Sequence, residues 1–511
     1  VLAMQGLVQS YFAEFLEKWI YTPPAFVYVV FIAIFAITLI LLATEKVNKA
    51  LAALCGAAAT ILAGKYFETV FSWVPLTGAV LDVAQGRYPT MKPLLFTSEQ
   101  VLTEMVDWQT IMIVIALLIV SSTVSRSGLF EYIVVKVIKR GGGDPKVLFV
   151  YFCALTYLLT LAMGLIPAFI VIVSLTVTLT RSLGIDPRPY ILGELFVNNY
   201  AAMSTLIGTT ANIVIASHYQ MNPSYLLDYT GFLLLGTPFA LACSAISMFL
   251  VQRSFRESIA KPENAEFETL RVRIMSLDES SLIEDKAVFK RTIILLILMI
   301  VGLIIASPLG VQIYIVMLVF AVAFLLLGNI DPRKAIMEVD WELLLFLIGI
   351  FIVVGGVYST GILGAAGEAL GAISQGNALM LVSLTITLSS VLSGVLEDVA
   401  VAVTLLHMIP VAALSALVSE KAIAWALLYG TKLGSILTPV GETTVILALS
   451  ILSREGKPIS WTTFMKHSVP IMVSSILVGV ALIYMFTIIL GWNTITPEQL
   501  ITLLASQTIT I

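Results

Sequence analysis

Charged residues are scarce in this chain of 511 residues: Asp, Glu, Lys and Arg together make up 12% of it. Soluble globular proteins contain about 25% charged residues. Hydrophobic residues account for 59% of the chain, and many stand in runs of roughly 20, the length that crosses a bilayer as a helix. The scarcity of charge excludes a soluble globular protein, and the apolar runs predict an all-α polytopic membrane protein.

Cysteine, histidine and positive charge are also in short supply. The three cysteines are far apart and the three histidines are scattered, so neither a disulfide framework nor a zinc site is expected. A net charge of −4 argues against binding to nucleic acid. A Gly-Lys-Ser/Thr phosphate loop is missing, which leaves an ATP-driven pump without support. We expect no enzyme and no cofactor, apart from a bound Na⁺ or H⁺ as coupling ion.

A charged stretch at residues 252–291 divides the apolar runs into two groups. It predicts a cytoplasmic linker between two repeats, which cover residues 25–251 and 292–490. Residues 1–24 have a helix-like pattern without the basic start of a signal peptide, so we expect an N-terminal interfacial segment. Residues 491–511 are expected to form a C-terminal tail.

The two groups of apolar runs carry matching markers. Asp107 followed by Trp opens one run, and Asp340 followed by Trp opens another 233 residues further on. The same offset separates "TLIGTTANI", which begins at Thr205, from "TPVGETTVI", which begins at Thr438. Lys and Arg in the flanking loops place Asp107 outside the cell and Asp340 inside. The pattern predicts an inverted-topology repeat with both chain termini outside, as in many secondary transporters.

Each half contains a polar, Gly-interrupted stretch inside an apolar run, which is typical of a discontinuous helix at a substrate site. In the first half Gly208 would allow the helix to unwind, and in the second half Pro439 and Gly441 would break it. The polar groups near these breaks are the candidate substrate- and ion-binding groups. They belong to Asn199, Thr209, Thr210, Asn212, Lys432, Glu442, Thr443 and Thr444.

Glu397 and Asp398 complete this set, because they stand side by side within an apolar run. A charged side chain at the bilayer centre costs about 2.5–3.5 kcal/mol on insertion scales, so each carboxylate needs a partner or an ion. A Ser-Gly dipeptide shortly before the pair favours a turn. We expect the pair to lie at the tip of a re-entrant hairpin and to face Lys432 and Glu442.

Three segments resemble the ion transporter superfamily, in its arsenite-permease (ArsB) and NhaD-type antiporter branch. They are "VDWQTIMIVIALLIVSSTVSRSGLFEYI", "STLIGTTANIVIA" and "YGTKLGSILTPVGETTVILA", which begin at residues 106, 204 and 429. The resemblance implies two inverted halves, each with a re-entrant hairpin and a discontinuous helix. The polar pair of the family recurs as Glu397-Asp398 in the second hairpin, whereas Pro167-Ala168 stand at the corresponding place in the first.

These features predict a secondary active transporter of the cell membrane, with proton-coupled antiport (efflux) of a small inorganic ion such as Na⁺ or arsenite. A citrate-transporter-like carrier of anions or dicarboxylates is an alternative, with Lys432 and half-helix N-termini holding the anion. A non-transporting membrane subunit of a larger complex is a second alternative, because the first hairpin lacks a polar tip. The expected partners are the lipid bilayer, the small ion and a second copy of the chain in a homodimer.

Overall fold

The computed structural model describes residues 25–44, 46–71, 100–127, 132, 144–219, 223–259, 285–328 and 331–492. Within them, nine helices are long and apolar enough to cross a membrane, and there are ten spans if one bent helix pair counts as a single span. The predicted all-α polytopic architecture is therefore confirmed. The predicted interfacial segment and most of the predicted linker and tail lie outside the described residues.

Eight helices of the described residues belong to the first half. Their bounds are α1 Ala25–Thr44, α2 Lys49–Phe71, α3 Trp108–Ser125, α4 Pro145–Met163, α5 Leu165–Leu183, α6 Arg188–Ala201, α7 Thr210–His218 and α8 Tyr229–Ser254.

A further eleven helices of the described residues belong to the second half. Their bounds are α9 Lys286–Ala306, α10 Ile313–Leu327, α11 Pro332–Met337, α12 Trp341–Ser359, α13 Ile362–Ser374, α14 Ala378–Ser393, α15 Asp398–Leu406, α16 Ile409–Ala416, α17 Glu420–Ser435, α18 Thr443–Arg454 and α19 Trp461–Ile489.

One helix pair joins the two halves along its whole length. α2 packs closely against α12, and the two helices run in the same direction: Ala53 contacts Gly349, and two turns further on Thr60 contacts Gly356. Small residues at these contacts let the two backbones approach closely, as they do at helix interfaces in membranes. The pair forms a wall beside the centre of the molecule.

Each half also contains a helical hairpin. α4 and α5 are joined at Gly164, which has a positive φ of 79° that favours glycine. α14 and α15 are joined by residues 394–397, and the returning arm bends by 47° between α15 and α16. The Glu397-Asp398 pair therefore lies at the turn of the second hairpin. The opposite orientation of the two halves in the bilayer stays a prediction.

The turn of each hairpin touches an interrupted stretch of its own half. Gly164 lies against the carbonyl oxygens of Ile207 and Gly208. In the second half, the hydroxyl of Thr438 donates to the carbonyl oxygen of Gly394. Both contacts join a hairpin turn to backbone that is no longer α-helical. The hairpin turns and the interrupted stretches thus converge at the centre of the molecule.

Candidate functional site

The first-half interruption separates α6 from α7. Two 3-10 turns at Ala202–Ser204 and Leu206–Gly208 fill the gap. Gly208 is required at its position because a side-chain carbon there would overlap the carbonyl oxygen of Ala202. The sequence argument for a break at Gly208 therefore agrees with the geometry.

Asn212 stabilises this interruption. Its side-chain amide donates to the carbonyl oxygens of Ala202 at 2.9 Å and Thr205 at 3.0 Å. The break removes the regular α-helical partners of these carbonyl groups, and the Thr205 oxygen also accepts from the backbone nitrogen of Gly208 at 3.1 Å. The sequence predicts Asn212 as an ion-binding residue, whereas its amide nitrogen is engaged here in holding the backbone open.

The second-half interruption lies between α17 and α18. α17 ends at Ser435 and α18 begins at Thr443, so Pro439 and Gly441 both lie in the break. The break places Glu442 immediately before the first residue of α18, where its side chain makes no capping bond to the helix. The Glu442 carboxylate is thus available to another partner.

A row of serines on α14 fixes the position of α17. The hydroxyl of Ser390 donates to the carbonyl oxygen of Gly430 at 3.1 Å, and that of Ser393 donates to the carbonyl oxygen of Thr431 at 2.6 Å. Hydroxyl-to-carbonyl bonds of this kind join helices in an apolar surrounding. Because α17 is buried on all sides, the next residue, Lys432, cannot extend its side chain to solvent.

Lys432 instead joins two carboxylates. Its ammonium nitrogen lies 2.6 Å from Oδ2 of Asp398 and 2.8 Å from Oε2 of Glu442, and its side chain is 0% exposed. The Thr209 hydroxyl donates to the same Asp398 oxygen at 3.4 Å. We call Asp398, Lys432 and Glu442 the Lys432 cluster. It connects the second hairpin, the second break and the start of α7.

Glu397 and its neighbour Asp398 have different partners. Its carboxylate lies 3.3 Å from the ammonium nitrogen of Lys49, the first residue of α2, and not in the Lys432 cluster. Adjacent residues at the start of a helix point in different directions, which explains the separation. Lys49 also donates to the hydroxyl of Thr443 at 3.3 Å. The sequence analysis did not identify Lys49 as a site residue, because a lysine that follows an apolar run normally indicates a cytoplasmic loop.

The remaining predicted residues occupy varied positions around the cluster. Asn199 donates from its amide to the hydroxyl of Ser435 at 2.9 Å, which joins α6 to the end of α17. Thr444 is fully buried, and its hydroxyl has no hydrogen-bond partner within the described residues. Thr210 is partly buried at the start of α7. All three lie at or beside the interruptions, and their predicted role in binding an ion stays a prediction.

The sequence argument also missed a buried carboxyl group in the first half. Glu194 of α6 is 0% exposed, and its carboxylate accepts the hydroxyl of Thr176 on α5. One turn further along α6, Asn198 accepts the hydroxyl of Thr160 on α4 at 2.6 Å and donates to the carbonyl oxygen of Leu165 at 3.1 Å. One face of α6 therefore holds both arms of the first hairpin. The sequence did contain a signal for this buried group, a single Glu within the apolar segment "YILGELFV".

Comparison with known proteins identifies the family. The chain matches the citrate transporter (CitMHS) family over residues 39–430, which include both hairpins and all of the first interruption. The protein belongs to this family. The resemblance to the ion transporter superfamily is confirmed, since this is a family of transporters and not of enzymes.

Two relatives extend the comparison over most of the chain. A "46 kDa membrane protein" of Mycobacterium leprae is 26% identical to this CitMHS protein, over 88% of this chain and 96% of the relative. An "Arsenical pump membrane protein" of Escherichia coli strain K12 is 22% identical, over 78% of this chain and 89% of the relative. The chain is similar to both along nearly their whole length.

Two solved structures share the fold. The YdaH transporter of Alcanivorax borkumensis superposes with a TM-score of 0.54 at 16% identity, covering 88% of this chain and 99% of that chain. MtrF of Neisseria gonorrhoeae, described as an antimetabolite efflux pump, superposes with a TM-score of 0.53 at 12% identity, covering 84% of this chain and 94% of that chain. These two likenesses concern the fold; the family match and the apolar helices together make the CitMHS protein a multi-pass membrane transporter.

Proposed function

We propose that this CitMHS protein is a secondary transporter of the plasma membrane that couples its cargo to protons at the Lys432 cluster. The observation that carries the proposal is the burial of Lys432 between Asp398 and Glu442, at 2.6 Å and 2.8 Å. Ionisable groups inside membrane proteins are costly and commonly mark proton or ion pathways.

The charges of the cluster support this proposal. One ammonium and two carboxylates have a net charge of −1 when all three are ionised. A buried unbalanced charge is costly, so a bound proton or Na⁺ would stabilise the cluster. The cluster therefore has one place for a monovalent cation.

The location of the cluster explains how binding would move the protein. Asp398 belongs to the hairpin, whereas Lys432 and Glu442 flank the break between α17 and α18. Protonation of either carboxylate weakens its bond to Lys432, because the attraction between opposite charges is lost. The contact between the hairpin and the broken helix would then change with the occupant of the cluster, which is what coupling requires.

Antiport of a small inorganic ion fits this scheme best. A proton and a cation such as Na⁺ would compete for the same carboxylates, so one would leave as the other binds. Arsenite is the second candidate cargo, because several relatives are named as arsenical pump membrane proteins.

An anion carrier is the alternative, and a separate observation favours it. α7 and α18 both begin at the centre of the molecule, and neither has a side-chain cap at its N-terminus. Uncapped helix N-termini attract anions. With Lys432 beside them, they could hold a carboxylate cargo, as the family name suggests.

The direction of the pH gradient separates these functions. Purified protein would be placed in proteoliposomes, and uptake of Na⁺, arsenite and citrate would be measured with the interior either acidic or alkaline. Antiport predicts that Na⁺ or arsenite accumulates when the interior is acidic. Proton-driven carriage of an anion predicts that citrate accumulates when the exterior is acidic. Equal uptake under both gradients, at the level of protein-free liposomes, would refute both.

A further inference from the structure

We propose that Lys49 is a positioning residue that sets the charge of the coupling site by neutralising Glu397. This inference rests on the proposed function, because it concerns the proton affinity of the Lys432 cluster. Lys49 itself stays outside that cluster: its contacts include the carboxylate of Glu397 and the hydroxyl of Thr443, both at 3.3 Å.

Lys49 comes from a part of the molecule that belongs to neither hairpin. It opens α2, the helix that lies along α12 in the wall beside the centre. Two of its partners are Glu397, in the turn of the second hairpin, and Thr443, the first residue of α18. The Lys49 side chain therefore brings a positive charge from α2 to the two elements that carry Asp398 and Glu442.

The Lys49–Glu397 pair is less deeply buried than the Lys432 cluster. The side chains of Lys49 and Glu397 are 23% and 17% exposed, whereas Lys432 is 0% exposed. A partly exposed pair can separate at a smaller cost, because water replaces the lost partner. The pair therefore lies at the less buried edge of the site, next to the fully buried Lys432.

The charged groups that face Glu397 come from three elements. They are Lys49 of α2, Asp398 at the start of α15 and Glu442 at the second break. Lys49 also acts on Glu442, together with Lys432 and Asp398. These five residues therefore form one electrostatic unit with two positive and three negative charges, and its net charge is −1 when all are ionised.

This charge count makes opposite predictions for two single substitutions. Lys49→Met makes the unit more negative, so a proton binds more readily and the pH profile of transport moves to higher pH. Glu397→Gln makes the unit neutral, so the profile moves to lower pH. The double substitution restores the net charge of −1, and its profile should return close to that of the wild type. Each single shift is expected to be about one pH unit.

The chain offers a matched control in the short stretch before α2. Lys46 is exposed and lies three residues before Lys49, so Lys46→Met removes the same charge from the same corner of the wall. It should leave the profile unchanged. Lys49→Arg keeps the charge and should stay close to the wild type in its pH profile. A reduced rate of transport in Lys49→Met with an unchanged pH profile would instead indicate a structural role.

The experiment is the pH profile of proton-coupled transport in proteoliposomes for the wild type, the three single Met or Gln variants and the double variant. Infrared titration of protonated carboxyl groups in the purified proteins gives a second readout that needs no transport. If the wild type shows no proton coupling, the proposed function fails, while the infrared titration still tests Lys49. If Lys49→Met matches Lys46→Met in both readouts, or the double variant keeps the shift of either single variant, Lys49 does not set the charge of the site.

Discussion

The ammonium nitrogen of Lys432 lies 2.6 Å from Oδ2 of Asp398, and this contact joins the second hairpin to the second broken helix. Glu442 accepts a hydrogen bond from the same nitrogen at 2.8 Å, from the far side of the break. One buried cation therefore binds two segments that have no continuous helix between them. The fold at the centre of the molecule depends on this charge, and so does the proposed coupling.

Removal of the buried cation should destabilise the protein. Lys432→Met leaves two buried carboxylates facing each other, and loss of one partner of a buried ion pair costs about 3–5 kcal/mol. We expect a lower thermal midpoint in detergent, and a partial recovery when Asp398→Asn and Glu442→Gln are added. Lys334→Met, at an exposed position in α11, is the control. A midpoint for Lys432→Met equal to that of the control would show that the cluster does not hold the two segments together.

Loss of one cluster carboxylate should uncouple transport from protons. Asp398→Asn keeps the shape of the side chain and leaves Lys432 paired with Glu442 alone, so one of the two carboxylates that could take up the proton is lost and the other is neutralised by Lys432. We expect proton movement driven by cargo, measured with a pH-sensitive dye inside proteoliposomes, to fall to the background of empty liposomes. Asp340→Asn changes a carboxylate that caps α12 and should leave this signal unchanged. Full proton movement in Asp398→Asn would exclude Asp398 from the coupling site.

The sequence predicted those parts of the site that follow from local rules. Pro439 and Gly441 cannot continue a helix, and the observed break contains both. The contact of Asp398 with Lys432 could also be anticipated, because two buried opposite charges in an apolar surrounding reduce each other's cost.

The partner of Glu397 could not be predicted in this way. Lys49 lies in the other half of the chain, and only the packing of α2 along α12 brings it to the hairpin turn. Asn212 shows a second limit: the sequence pattern did not reveal that its amide nitrogen holds two backbone carbonyl groups of the break, and its part in ion binding stays a prediction. Long-range packing decides the partner of Glu397, and a local sequence pattern contains no record of it.

Asn212 should contribute to stability more than its polar neighbour on α7. Asn212→Ala removes two hydrogen bonds to backbone carbonyl oxygens, and the Thr205 oxygen keeps the backbone nitrogen of Gly208 as a donor. The expected cost is therefore that of the lost hydrogen bonds, about 0.5–1.5 kcal/mol each. Ser217 is the matched control, because it is also buried on α7 and its hydroxyl has no partner within the described residues. Thermal unfolding in detergent should therefore show a clear loss for Asn212→Ala and a small change for Ser217→Ala. Similar midpoints for both variants would contradict the stabilising role of Asn212.

The two helices that begin with Asp-Trp should start on opposite faces of the membrane. Asp107 caps α3 by accepting from the backbone nitrogens of Gln109 and Thr110, and Asp340 caps α12 by accepting from that of Leu343. The equivalent caps make the two helix starts counterparts in the proposed repeat, and the flanking basic residues assign them to different sides.

Cysteine labelling beside these caps tests the orientation without disturbing them. Glu104 and Glu342 are both exposed, each close to one cap, so either can be changed to Cys after Cys55, the exposed native cysteine, is replaced by Ser. In intact cells, a membrane-impermeant maleimide should label Glu104→Cys and should reach Glu342→Cys only after the membrane is opened. The inverted repeat requires this difference, because its two halves cross the bilayer in opposite directions. Labelling of both variants in intact cells, or of neither, would mean that the two helices start on one face and that the halves are related by a different symmetry.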